Sequence, residues 1–165
     1  MTRLLGLDLG ERRIGLAIGD DDGAPARPLV TVPRGRTNDA DEARLRAIVE
    51  SEGVDELIVG LPLEASGAEG PQAEKTRAWV AAVVDRIGRP VILRDERLSS
   101  HLAETRLGPM PRGRSGGPPT RTQRDAYRAK VDREAAAIIL QDELDTRAGI
   151  RSSLPRTPDP QEISR

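Results

Sequence analysis

Four carboxylates stand where apolar surroundings make a charge expensive. Asp8 lies between Leu7 and Leu9 in the run LLGLDLGERRIGLAIGD, residues 4–20. Asp95 and Glu96 close the run PVILRDE, residues 90–96, and Asp132 sits inside VDREAAAIILQDEL, residues 131–144. A carboxylate in such a place must be protonated, bonded to backbone amides or paired with a cation. For Asp8 two readings stand open: a cap on the amides of the following turn, ordinary for Asp before Leu-Gly, and a ligand for a cation. Three inward acids from separate elements suit a hard divalent ion, and Mg²⁺ or Mn²⁺ takes carboxylate and water shells of this kind. Two such ions could clamp an in-line phosphoryl displacement. One would help form hydroxide from water and the other would stabilise the leaving 3′ oxygen, with no cysteine, histidine or serine nucleophile required.

The elements that must position these acids follow from patterning. Residues 3–9 and 13–18 read as two strands joined by a tight turn at Gly10 to Arg12, and Pro28 to Val32 as a third, which predicts an antiparallel meander. Asn38 can cap a helix that Gly53 ends, and residues 54–60 form a buried strand. Pro71 starts a second helix that runs to Gly88, and residues 90–96 form the fifth strand. A short helix begins near Ser99 or Ser100, residues 108–120 form a mobile loop, and a last helix runs from about Gln123 to Asp145. This order predicts an α/β architecture: one five-stranded mixed sheet, its first three strands antiparallel, flanked by helices. One domain over residues 1–148 and a flexible tail over 149–165 are expected.

Within this frame each acid acquires a direction. Leu5, Leu7 and Leu9 share one face of the first strand while Leu4, Gly6 and Asp8 share the other. On the last helix Val131, Ala135, Ala136, Ile138, Ile139 and Leu140 form an apolar arc with Asp132 near its centre. Asp142 and Glu143 lie near that arc but towards the helix end, where solvent is reachable. In the fifth strand Asp95 shares a side with Val91 and Leu93, and Glu96 with Ile92 and Arg94. A regular strand therefore favours Asp95 as the partner of Asp8, and a bulge would favour Glu96. The plain alternative for the pair is a strand terminus salt-bridged by Arg94 or Arg97.

Composition narrows the possibilities further. There is no cysteine, which excludes disulfides and thiolate metal sites, and His101 is the sole histidine, which excludes a histidine-rich one. Neither a signal core nor an apolar stretch of bilayer length is present, so a soluble cytoplasmic protein with no membrane partner is expected. Only Trp79 and Tyr127 are aromatic, so nucleic acid would be recognised by backbone shape and charge rather than by base stacking. The net charge of −1 conceals a basic segment. Residues 106–133 hold eight Arg or Lys against Asp125 and Asp132, and Arg112, Arg114, Arg121, Arg124, Arg128 and Lys130 are the candidates for tracking a phosphate backbone. The loop LPLEASGAEGPQ, residues 61–72, places Gly67 and Gly70 before a helix start, where free amides could meet a phosphate or form an ordinary connection.

The motifs GLDLGERRIGLAIGD (6–20), VGLPLEASGAEGPQAEKTR (59–77), DERLSS (95–100) and VDREAAAIILQDEL (131–144) resemble, in order and spacing, the YqgF family of RNase H-like, Holliday-junction-resolvase-like proteins, also described as pre-16S rRNA nucleases. The resemblance implies an RNase H-like fold, a bacterial housekeeping role in maturing the 5′ end of 16S rRNA, and nuclease chemistry dependent on Mg²⁺ or Mn²⁺. Carried onto this chain, the family's acidic positions fall on Asp8, on Glu96 or its neighbour Asp95, and on Asp132. Glu64 and Ser66 depart from the family's usual Asn and Asp, and Gly19 from its common Ser.

The partner implied is nucleic acid, either precursor rRNA or branched DNA. A Holliday-junction-resolving nuclease is one alternative, and it implies a homodimer because two strands must be cut symmetrically. A non-catalytic nucleic-acid or ribosome-associated binding protein is another. Asp8-Leu9-Gly10 with its hairpin also resembles the first phosphate motif of actin-like and sugar-kinase ATPases, but that fold closes two lobes around ATP and this chain is long enough for one.

Overall fold

The computed structural model describes residues 1–97 and 99–149. Five strands form one sheet: β1 (Arg3–Leu9), β2 (Arg13–Asp20), β3 (Arg27–Pro33), β4 (Glu56–Leu61) and β5 (Val91–Asp95), in spatial order β3-β2-β1-β4-β5. Pairing is antiparallel between β1 and β2 and between β2 and β3, and parallel between β1 and β4 and between β4 and β5. The helices are α1 (Asn38–Glu52), α2 (Pro71–Trp79), α3 (Ser99–Leu107) and α4 (Arg121–Arg147).

Local chemistry sets the element ends. Gly10 N donates to Arg13 O at 2.8 Å and closes the β1–β2 hairpin. Thr37, rather than Asn38, caps α1 by accepting from Ala40 N, and Gly53 in the left-handed region ends it. The long helix expected from Pro71 to Gly88 is interrupted: α2 passes at Val80–Val84 into a π turn and at Asp85–Ile87 into a 3₁₀ turn before Gly88 at φ 79°. Thr120 and Gln123 form a reciprocal capping box at the start of α4.

The sheet separates two apolar layers. Leu5, Leu7, Ile14, Leu16, Leu57 and Val59 pack with Leu45 and Val49 of α1 and with Trp79, Val80, Val83 and Val84. On the opposite face Leu4, Ala17 and Ile58 pack against Ala136, Ile139, Leu140 and Leu144 of α4. The chain begins β2 on this second face with Arg13 and Gly15, and Gly15 permits an unusually close approach: a Cβ there would stand 2.1 Å from Asp132 O. The main chain of α4 is thereby seated directly on β2. Asp41, in the first turn of α1, is buried, accepting from Gly35 N at 2.6 Å and Trp79 Nε1 at 3.3 Å.

Two sequence expectations are corrected here. Glu143 is buried rather than solvated, held by Arg94 at 2.9 Å and Arg147 at 3.0 Å. The alternation along β5 is the expected one but the side facing the site is the reverse: Val91 and Leu93 face the α1–α2 layer, whereas Ile92 joins the α4 layer and Arg94 bonds to α4. Residue 96 therefore continues the α4 face without any bulge. The tail expected over 149–165 lies outside the described residues from 150 onward.

Candidate active site

Asp8 and Glu96 are in contact at the end of the sheet where β1, β4 and β5 finish, with Asp132 of α4 close enough for its charge to act on Asp8. Asp8 pairs in register with Gly15 on one side, and parallel pairing places Gly60 of β4 near it on the other. Each glycine clears space for a neighbour. Over Gly15 lies the main chain of Asp132, and over Gly60 lies the Glu96 carboxyl, whose Oε2 would be 2.6 Å from a Cβ at residue 60. Glu96 is held by its own backbone, with its N bonded to Leu61 O at 3.2 Å and its O accepting from Ser99 at the start of α3. The site is thus assembled from two strand ends and one helix.

Burial dominates the electrostatics. Asp8 is 7 % exposed. Its pKa is raised above the ordinary carboxylate range by burial and by the charge of Asp132, against a lowering contribution from its contact with Glu96. Glu96 is raised further, first by burial and then by the charge and contact of Asp8. Two carboxyls crowded in a dry site cannot both ionise easily, so without a cation the proton resides on Glu96. Oε2 of Glu96 is buried with no hydrogen-bond partner. A buried oxygen left in that condition is a position that either a proton or a cation would satisfy.

Asp132 belongs to the same corner but is turned aside. Its Oδ2 accepts from Arg13 Nε at 2.8 Å, both side chains being about one-fifth to one-quarter exposed. Among the described residues no group of three or more His, Cys, Asp or Glu side chains converges as a metal cage. Asp8 and Glu96 are therefore the two acids in contact, and Asp132 is engaged by an arginine. Asp95 is directed elsewhere: it accepts from Arg97 N at 3.0 Å and Arg97 Nε at 2.8 Å, the salt-bridged terminus that the sequence allowed. The Gly10 amide of the turn donates to Arg13 O rather than to Asp8, which speaks against the cap reading.

The basic candidates Arg112, Arg114, Arg121, Arg124, Arg128 and Lys130 are all exposed. Hydrogen bonds join the loop before α4 to the first turns of that helix: Tyr127 OH donates to Gly108 O at 2.7 Å, Gln123 Nε2 to Arg112 O at 3.1 Å and Arg124 Nη1 to Pro119 O at 2.8 Å. Arg124 and Arg128 precede Asp132 at successive four-residue steps on α4, a rise of about 12 Å along one side of the helix. In the loop after β4, the Gly67 amide is already donated to Glu64 O at 2.8 Å, which leaves it unavailable for a phosphate. His101 is exposed on α3, away from these roles.

The sequence reading missed Arg13. Its signal was parity: Arg13 lies two residues from Gly15, the register partner of Asp8, so its side chain falls on the face of Asp8.

Comparison with known proteins gives the family and the fold. The family described as "RuvX: Holliday junction resolvase" matches residues 2–146. A protein named "Putative pre-16S rRNA nuclease" from Anaeromyxobacter sp. (strain Fw109-5) is 46% identical over 145 residues, covering 88% of this chain and 98% of its own. One of the same name from Chloroflexus aggregans (strain MD-66 / DSM 9485) is 40% identical over 144 residues, covering 87% and 94%. Among solved structures, T. thermophilus RuvC in complex with Holliday junction substrate aligns with a TM-score of 0.52 at 16% identity, over 91% of this chain and 98% of that one. At that identity the likeness is one of fold.

Proposed function

Because the chain belongs to the RuvX family and carries a RuvC-like, RNase H-like fold, we propose that this nuclease is a divalent-metal-dependent endonuclease for structured nucleic acid, with the 5′ end of precursor 16S rRNA as its substrate in the cytoplasm. The observation that carries the metal dependence is the buried, unpartnered Oε2 of Glu96 against the buried carboxyl of Asp8. Oxygen donors of this kind fit a small hard cation, Mg²⁺ or Mn²⁺. Asp8 and Glu96 would hold it, with Asp132 as the third acid once separated from Arg13. Asp95, occupied by Arg97, is left out of the set.

When bound, the ion supplies a water made acidic enough to serve as hydroxide and a counter-charge for the leaving 3′ oxygen. The chain's own residues do the rest. Glu96 must give up its proton before it can act as a ligand, so loading is favoured by rising pH. The β1 strand, fixed between β2 and β4, holds Asp8 rigidly, which keeps the attacking geometry constant. Arg124, Arg128 and Lys130 on the exposed side of α4, with Arg112, Arg114 and Arg121 before them, would bind the phosphate backbone leading to Asp132. Hydrolysis adds water across one phosphodiester and leaves a 3′ hydroxyl and a 5′ phosphate.

A second reading, cleavage of branched DNA by a homodimer, is supported by the likeness to RuvC. Incubation of a precursor 16S fragment and of a four-way DNA junction with Mg²⁺ or Mn²⁺ separates the two. Cutting of the rRNA fragment at its 5′ side by monomeric protein supports the first, and symmetric junction cutting by a dimer supports the second. Binding with no cleavage of either by wild-type protein would leave a nucleic-acid-binding adaptor.

A further inference from the structure

We infer that Arg13 is a latch on the candidate site, a positioning residue that holds Asp132 away from the cation position until an ion displaces it, and then turns to a phosphate of the nucleic acid. The inference rests on the proposed metal site and concerns how that site is regulated.

The first observation is the ion pair itself. Arg13 Nε stands 2.8 Å from Asp132 Oδ2, joining residues 119 apart in sequence, and it engages the one acid of the three that is not turned towards the other two. The second observation is mechanical. The backbone of Asp132 is pressed against Gly15, where even a Cβ would stand 2.1 Å from its carbonyl oxygen and 2.7 Å from Arg133 N. The main chain at 132 therefore has no room to approach the sheet, and the acid can change partner only by rotating its side chain. A side chain has discrete rotamers, so the exchange is between two states rather than a gradual drift.

The third observation concerns what Arg13 would do next. Arg13 begins β2, beside the hairpin residues 10–12 at the edge of the sheet where Asp8 and Glu96 sit, and its side chain is already 24 % exposed. A guanidinium deprived of its carboxylate keeps its full charge and its fork of donors, and phosphate is the group whose geometry it fits best. The latch thus links two events. Without an ion, Arg13 neutralises Asp132 and is withheld from the substrate. With an ion, Asp132 is drawn to the cation and Arg13 faces a backbone phosphate. Loading the metal and gripping the nucleic acid become coupled through one side chain.

The test is a double-mutant cycle read by Mn²⁺ binding in calorimetry, with no nucleic acid present, on wild type, Arg13→Gln, Asp132→Asn and the double variant. The latch predicts that Arg13→Gln binds Mn²⁺ about two- to fivefold more tightly, the worth of a partly exposed ion pair, and that this gain vanishes in the Asp132→Asn background. A simple long-range repulsion between Arg13 and the ion would survive in that background, so an undiminished gain overturns the inference, as does unchanged or weaker binding. Thermal unfolding of each variant confirms that it is folded, and Arg13→Lys, which keeps the charge and loses the fork, provides a second variant with affinity between the two. The second half is read by anisotropy on a four-way DNA junction, with Ca²⁺ as the ion. Arg13→Gln is expected to lower the salt dependence by about one phosphate contact with the ion present and to leave it unchanged in chelator. An equal effect in both conditions overturns the coupling. Absence of Mn²⁺ binding by wild-type protein would overturn the metal site and the latch together, whereas wild-type binding unmoved by Arg13→Gln removes the latch alone.

Discussion

Asp8→Asn removes a charge that burial disfavours and Glu96→Gln a carboxyl that burial keeps protonated, so stability and activity should separate at these two positions. Either exchange is expected to raise the melting temperature of the ion-free protein by a few degrees and to reduce cleavage at least about a hundredfold. A fall in melting temperature in both variants would contradict the crowded-carboxyl account. The pH dependence has a definite sign. A carboxyl whose pKa is raised on folding stabilises fully below its unfolded value, and that contribution is lost as pH climbs through the folded value. Asp8 and Glu96 are both raised, Asp8 to about 6 and Glu96 to about 10, so the ion-free melting temperature should fall from above the ordinary carboxylate range through about pH 6 and on towards about pH 10, and the slope should flatten in Glu96→Gln. Asp20, held low mainly by its hydrogen bond from Arg3, titrates below that window and does not mask the trend. A melting temperature that climbs across the window would reverse the assignment.

At the scale of elements, the site depends on how near α4 comes to β2. Gly15→Ala would push a methyl into the Asp132 main chain, and since backbone cannot step aside as a flexible side chain can, the helix must lift. The expected cost is about 3 kcal/mol, measured by denaturant unfolding followed through Trp79, the only tryptophan. A neutral Gly15→Ala would contradict the close seating of the helix. Much of this arrangement was legible in the sequence. The order of strands and helices, the inward face of Asp8 and the placing of Asp132 on the apolar arc all follow from periodicities of two and 3.6 residues. What periodicity could not supply was which sheet face each half of the chain covers. Val91 and Leu93 looked like the face of the site because they are apolar, yet they pack on the α1–α2 layer, and Arg94, on the site's own face, is there because Glu143 awaits it. The same lack of tertiary partners hid the burial of Asp41 under Trp79 and the pairing of Arg13 with Asp132. The break in the helix at Val80–Val84 has no signal in its sequence, where Val and Ala alone gave no reason to depart from an α-helix.

Across the whole molecule, charge is sorted by position rather than by total. The net charge is −1, yet the approach to the site along α4 is basic, and no helix among the described residues is long and apolar enough to cross a membrane. Arg124→Glu with Arg128→Glu should weaken binding of structured nucleic acid and reduce its salt slope by about two contacts, leaving the melting temperature nearly unchanged because both side chains are exposed. Equal affinity in the charge-reversed variant would move the interface elsewhere. The most direct measurement is cleavage of a precursor 16S rRNA fragment by wild type and Asp8→Asn, with Mg²⁺ or Mn²⁺ and with chelator, the variant being shown to be folded. The predicted result is cutting by wild type with the ion, none in chelator and none by Asp8→Asn. Cutting that persists in Asp8→Asn, or in chelator, would contradict a metal-dependent nuclease built on Asp8.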